Sequence, residues 1–202
     1  MRHSALVRIT HWINALSFGA LVVSGFAILL AHPRLYWGET GAVGAPSLID
    51  LPLPFVLTGQ SGWGRYLHFL SAWITILTGI LYVTAGIRTH HFRRDLLQQD
   101  AGDAWQSYGG LQRLAYLTVV FILFPLMIWT GFAMSPALTS VMPALVTLLG
   151  GQQSARTIHF AVANLLVLFL VGHVAMVWLT GFSTKMRAMI LGEGSSHRLP
   201  QT

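Results

Sequence analysis

The sequence contains no cysteine. That absence excludes disulfides, thiolate-held iron–sulfur clusters, covalent c-type haem attachment and a thiol nucleophile. Charge is scarce as well: Asp, Glu, Lys and Arg make up 9% of the 202 residues, and only 6 of them are acidic. A soluble domain carries about 25% charged residues, so this chain cannot clothe a globular surface and needs lipid around much of it. The length suits one bundle, not a bundle joined to a soluble enzyme domain.

What the sequence does hold is 54% apolar residues, gathered into long runs. A helix that crosses a bilayer needs about 20 mainly apolar residues. Four stretches qualify: residues 8–31, 66–87, 113–134 and 156–181. The expected fold is an all-α membrane protein, a four-transmembrane-helix bundle. A fifth apolar patch, 137–149, is too short to span, contains Pro143 and ends at Gly150-Gly151. It reads as a short interfacial helix or lid in the outer loop before the fourth span. The first run is expected to be retained, because Ala31-His32-Pro33 offers no small-x-small cleavage site.

The net charge of +6 comes from basic residues that flank the runs, a sign of topology and not of nucleic-acid binding. Arg2, Arg8, Arg88, Arg93, Arg94, Arg113, Lys185, Arg187 and Arg198 fall on one side, against Arg34, Arg65 and Arg156 on the other. The positive-inside rule then predicts cytoplasmic termini. Residues 1–185 form the expected bundle domain and 186–202 a cytoplasmic tail. The outer loops, 32–64 (with Tyr36, Trp37 and Trp63) and 135–155, are long enough to carry function or partner contacts. No internal repeat and no low-complexity tract is evident.

Nine histidines are present. His3, His90, His91 and His197 fall in the cytoplasmic flanks, and His32 ends the first span beside Pro33. His11, His68, His159 and His173 lie inside apolar runs, where ionisable residues are rare and usually functional. His159 and His173 are 14 residues apart, which on a helix of 3.6 residues per turn puts them on one face, about 21 Å apart along the axis. Zinc ligands must converge to about 2 Å from one ion, so one zinc site does not explain that spacing. Two stacked haems do. Depth pairs His11 with His173 as ligands of an inner haem iron, and His68 with His159 as ligands of an outer one.

Arg8, Arg65 and Arg156 each precede one of these histidines by three residues, on the same helix face and one turn nearer the surface. Guanidinium groups there suit haem propionates. Gly25 and Gly79 fall on inward faces, where small residues let a flat macrocycle or another backbone approach.

The elements Arg8-Ile9-Thr10-His11-Trp12-Ile13-Asn14-Ala15, Gly64-Arg65-Tyr66-Leu67-His68, Tyr108 to Gln112-Arg113 and the His159/His173 pair resemble bacterial cytochrome b561-type membrane subunits. These include the cytochrome b subunits of nickel–iron hydrogenase and formate dehydrogenase, and smaller relatives that act with molybdenum enzymes. The resemblance covers residues 5–185. It implies a multi-pass protein of the bacterial inner membrane that holds two b-type haems and carries electrons between a periplasmic redox partner and membrane quinone. It also implies a quinone site near the inner haem, beside His173, formed by Tyr108, Gly110 and Gln112. Relatives commonly carry Asn after the tyrosine; Gly109 here removes a side-chain contact. The outer loop Leu35-Tyr36-Trp37-Gly38-Glu39 resembles the subset paired with molybdopterin enzymes of the sulfite-oxidase type.

The leading expectation is therefore an electron-transfer subunit of a quinone-linked oxidoreductase. The alternatives are a stand-alone superoxide:quinone oxidoreductase and a haem-free transporter or anchor whose histidines bind metal or protons.

Overall fold

The computed structural model describes residues 4–41, 45–52, 62–88 and 109–192. The chain is mostly helical. Helix α1 covers Ala5–Ala31, and the short strands β1 (Arg34–Leu35) and β2 (Ile49–Asp50) follow it. Next come α2 (Gly62–Arg88), α3 (Gly109–Thr118), a π-helical turn (Val119–Leu123) and α4 (Phe124–Ala133). The single turns α5 (Pro136–Thr139) and α6 (Ala144–Thr147) lead to α7 (Gln152–Leu179), and α8 (Phe182–Ile190) comes last.

Four segments are long and apolar enough to cross a membrane: Ala5–Ala31, Gly62–Ala85, Leu114–Ala133 and Gln152–Leu179. Their side chains are largely uncovered by protein; Leu16 is 75% exposed and Leu168 67%. Apolar surface on that scale is stable only against lipid, and helices satisfy their own backbone there. The four expected spans are thus present. The third is two α-helices joined through the π turn. Pro125, at the start of α4, has no N–H, so an ordinary turn ahead of it loses a bond. The wider turn keeps the ladder, with the Phe124 N–H bonded to the Val119 carbonyl.

The chain divides into two compact units. One comprises Met1–Ala27, Ser61–Gln98 and Gly172–Thr202. Within it Thr78 Oγ1 lies 2.6 Å from Asn14 Oδ1, tying α2 to α1. Arg8 Nη1 donates to the Ile190 carbonyl at 2.9 Å and Trp12 Nε1 to the Met189 carbonyl at 3.2 Å. These bonds dock the end of α8 on the first turns of α1. They supply donors to carbonyls that a helix terminus leaves bare, and they place a cation at the negative end of the helix dipole. Gly192 ends the helix at φ +76°, the left-handed conformation that favours glycine.

The other unit comprises Ile28–Gln60 and Gln99–Val171. Its core is Ala133, Val146, Leu149 and Ala155, with Trp129, Met134, Leu145 and Ile158 packed on it. The Trp129 indole donates to the Leu145 carbonyl at 3.0 Å. Strands β1 and β2 pair antiparallel, Arg34 opposite Asp50 and Leu35 opposite Ile49. Arg34 Nε and Asp50 Oδ2 are 3.1 Å apart, and the carboxylate raises the guanidinium pKa further above its ordinary value.

Leu35 and Tyr36 are buried, and the backbone after them runs onto the start of α7. The Gly38 carbonyl accepts from the Gln153 and Ser154 amides, the Gly38 amide donates to Ser154 Oγ at 2.7 Å, and Thr157 Oγ1 donates to the Tyr36 carbonyl at 2.6 Å. Two of the N–H groups that the α7 N-terminus leaves bare, those of Gln153 and Ser154, are satisfied by this loop. Gly151, at φ +116°, is where the two backbones touch; a Cβ there would sit against the Gly38 carbonyl and 2.7 Å from the Glu39 nitrogen.

The apolar patch 137–149 folds as the two single turns α5 and α6, interrupted at Pro143. Val141 and Leu148 on it are exposed.

Candidate functional site

Within the first unit, His11 on α1 and His173 on α7 face each other. Their ring centroids are 6.4 Å apart and their planes are inclined by 57°. Trp12 stands edge-on to His11 at 5.5 Å and 75°. The Trp12 and Arg8 bonds to α8 therefore hold the helical turn that carries His11.

In the same unit His68 projects from the first turns of α2 onto α1. Its Nδ1 is 3.1 Å from Ser24 Oγ, and a Cβ on Gly25 would be in ordinary contact with the ring, 3.6 Å from its Cε1. Gly25 therefore faces the His68 ring. A Cβ on Gly79 would meet nothing within 4 Å among the described residues.

Within the second unit His159 on α7 lies against α4. Its Nδ1 is 2.9 Å from Thr130 Oγ1, and a Cβ on Gly131 would be 3.8 Å from its Cε1. Helix α7 is continuous from Gln152 to Leu179, so the interval from His159 to His173 is helical throughout.

The three arginines are not alike. Arg8 bonds the Ile190 carbonyl, Arg156 bonds the His32 carbonyl, and Arg65 is exposed. Two of the three groups expected at propionates thus also engage backbone oxygens. His32 contributes its carbonyl to Arg156, and its side chain is exposed. Of the expected quinone residues, Tyr108 lies outside the described residues. Gly110 and Gln112 fall in the first turn of α3, and the Gln112 side chain lies outside the description. His3, His90, His91 and His197 also lie outside it.

Two residues that the sequence reading passed over are Ser24 and Thr130, both completely buried. The signal for them is a short repeat. Ser24-Gly25-Phe26-Ala27 in the first span matches Thr130-Gly131-Phe132-Ala133 in the third. Gly64-Arg65-Tyr66-Leu67-His68-Phe69 in the second likewise matches Ala155-Arg156-Thr157-Ile158-His159-Phe160 in the fourth. The chain does contain a repeat, confined to the residues around two histidines.

A family profile described as prokaryotic cytochrome b561 matches residues 2–192. The chain belongs to the prokaryotic cytochrome b561 family. It is also similar to a protein of Azospira oryzae named putative protein-methionine-sulfoxide reductase subunit YedZ1, with 30% identity over 196 residues, 87% of this chain and 89% of that one. No solved structure matches it.

This cytochrome b561 is accordingly a multi-pass protein of the bacterial inner membrane that carries electrons through b-type haem. Its residues fit such a group. Porphyrin supplies four equatorial nitrogens, so the protein need offer only two axial imidazoles. With about 2.0 Å from metal to each nitrogen and about 1.1 Å from nitrogen to ring centre, two axial imidazoles have centroids about 6.2 Å apart. His11 and His173 stand at 6.4 Å. Among the described residues no three His, Cys, Asp or Glu converge as a bare-metal cage requires.

Proposed function

We propose that this cytochrome b561 holds two b-type haems, one between His11 and His173 and one between His68 and His159, and passes electrons between membrane quinone and a redox enzyme outside the cytoplasm. The observation that supports the reading is the approach of the His11 and His173 rings, whose centroids are 6.4 Å apart. The second pair is supported by depth in the sequence and by the matching surroundings of its two members, each with a hydroxyl at Nδ1 and a glycine beside the ring.

Haem contributes a one-electron ferric/ferrous couple. His11, His173, His68 and His159 would hold the haem irons, and ligation by two imidazoles each would favour electron transfer over oxygen chemistry. The apolar spans keep water away, and Arg8, Arg65 and Arg156 would supply positive charge for the propionates. Quinone requires protons as well as electrons. The family resemblance assigns the quinone to the segment Tyr108, Gly110 and Gln112, in a loop rich in basic residues, which would let it exchange them with the cytoplasm.

The partner reading draws on the Azospira relative, which is named as a reductase subunit. By that likeness this chain delivers electrons to a reductase, and its outer loop resembles the subset of family members paired with molybdopterin enzymes. The loop supports docking more than capture of a diffusing anion. Arg34 is already paired with Asp50 and Arg156 with a carbonyl, while Trp37 stands 60% exposed on a backbone anchored to α7. That disfavours superoxide as the substrate.

The test is quinol-driven reduction in membranes. The wild-type chain should be reduced by quinol at both haems and reoxidised by the partner's oxidised substrate only when the partner is present. Reduction of the haems by superoxide with the chain alone, no partner being present, would overturn the assignment.

A further inference from the structure

Ser24 and Thr130 are completely buried hydroxyls inside membrane-spanning helices, and each lies within hydrogen-bond distance of a histidine Nδ1. The ordinary role for such a residue is to bond back to its own helix, and both do so. Ser24 Oγ donates to the Ala20 carbonyl at 2.6 Å, with the Leu21 carbonyl at 3.2 Å; Thr130 Oγ1 donates to the Leu126 carbonyl at 2.8 Å, with the Met127 carbonyl at 3.0 Å.

That bond decides what the hydroxyl does for the histidine. A hydroxyl has one proton and two lone pairs. With its proton committed to the helix carbonyl, the oxygen can meet the imidazole only as an acceptor. On that arrangement the Ser24–His68 and Thr130–His159 contacts are made by Nδ1–H, and in His68 the Leu21 backbone also bonds the ring. Each ring is thereby fixed in the Nδ1-protonated tautomer, and its Nε2 carries the free lone pair.

We infer that Ser24 and Thr130 are positioning residues that orient His68 and His159, hold Nε2 as the iron-binding nitrogen and raise its basicity. The inference rests on the assignment of these two histidines as haem ligands. Three features support it. The contact occurs twice, at 3.1 and 2.9 Å. It recurs with the same local sequence, hydroxyl-Gly-Phe-Ala against Arg-x-x-His-Phe. The glycine after each hydroxyl lies close to the ring, its Cβ position 3.6 Å from His68 Cε1 at Gly25 and 3.8 Å from His159 Cε1 at Gly131. A metal-bound histidine that donates its other N–H to an acceptor is a more basic ligand, and loss of that acceptor costs about 10–100-fold in metal affinity.

The consequence is a redox one. A more basic imidazole favours ferric over ferrous iron, so each hydroxyl lowers the midpoint potential of the haem it serves. Removing one should raise that potential, by about 59 mV for a tenfold change in a one-electron couple.

The test uses the full chain, purified with its haems and titrated optically, with the low-temperature ferric electron paramagnetic resonance spectrum recorded beside it. Ser24→Ala and the near-isosteric Thr130→Val should each raise the potential of the same haem and shift its ferric signal, while the other haem keeps its values. Ser24→Thr and Thr130→Ser should retain the wild-type values. Unchanged potentials and spectra in the hydroxyl-free variants would overturn the inference, and so would equal shifts in the hydroxyl-retaining pair, which would mean packing alone. If Ser24→Ala or Thr130→Val loses the haem outright, retention in the Thr and Ser exchanges still assigns the effect to the hydroxyl. His68→Ala and His159→Ala run in parallel: full haem content there defeats the ligand assignment itself, whereas haem loss there with silent hydroxyl variants defeats only the role of Ser24 and Thr130.

Discussion

His11 and His173 lie with their ring centres 6.4 Å apart, close to the separation of two imidazoles on opposite faces of one iron. Such a pair is indivisible: with one member gone, the other cannot hold a low-spin haem. His11→Ala and His173→Ala should therefore have the same spectrum, each missing the same b-type component. Pyridine haemochrome analysis should find about half the wild-type haem in both, and the remaining haem, once reduced with dithionite, should still be reoxidised from the partner side.

The second pair predicts a different signature. His68→Ala and His159→Ala should each remove the other component, and the double variant should lose no more haem than either single one, because two groups that act on one iron are not additive. Difference spectra of the three variants decide it.

Beside His11 at the start of the first span, Arg8 and Trp12 hold the α8 terminus through the Ile190 and Met189 carbonyls. Arg8→Gln and Trp12→Phe each remove one bond to a backbone oxygen, worth about 0.5–3 kcal/mol. Release of α8 should show as faster tryptic cleavage at the exposed Lys185 and Arg187. Arg8→Gln should also disturb the His11 turn and lower haem retention, whereas Trp12→Phe, which keeps an aromatic ring beside His11, should affect cleavage alone.

Gly151 is bound by both conformation and contact. Any side chain there meets the Gly38 backbone, at a φ that costs other residues about 1–3 kcal/mol. Gly151→Ala should loosen the loop that carries Trp37, lower the melting temperature and weaken partner-dependent reoxidation, while haem content stays near wild type. Protease sensitivity of the loop and the reoxidation rate measure the two effects separately.

The spans were legible in the sequence because membrane helices must be long and apolar, and no other constraint competes with that one. The candidate histidines were legible for a related reason: a titratable group in an apolar run is conspicuous. Helix α8 was not, since its nine residues mix Lys185 and Arg187 with Phe182, Met186 and Met189, and only docking on α1 gives them a helical role. The π turn follows from Pro125, yet where a helix widens to absorb a proline depends on packing along the whole span. Ser24 and Thr130 were hidden because serine and threonine in membrane helices commonly satisfy themselves on their own backbone. Only the neighbouring helix reveals the lone pair turned to histidine. The repeat around them was masked by a composition in which glycine, alanine and phenylalanine are abundant.

The most direct measurement is the haem-to-protein ratio of the purified chain, taken with a redox titration of its reduced b-type absorption. The account predicts two haems per chain, titrating as two one-electron components, with one component lost in His173→Ala. A single haem per chain, or a full complement surviving in His173→Ala, would contradict it.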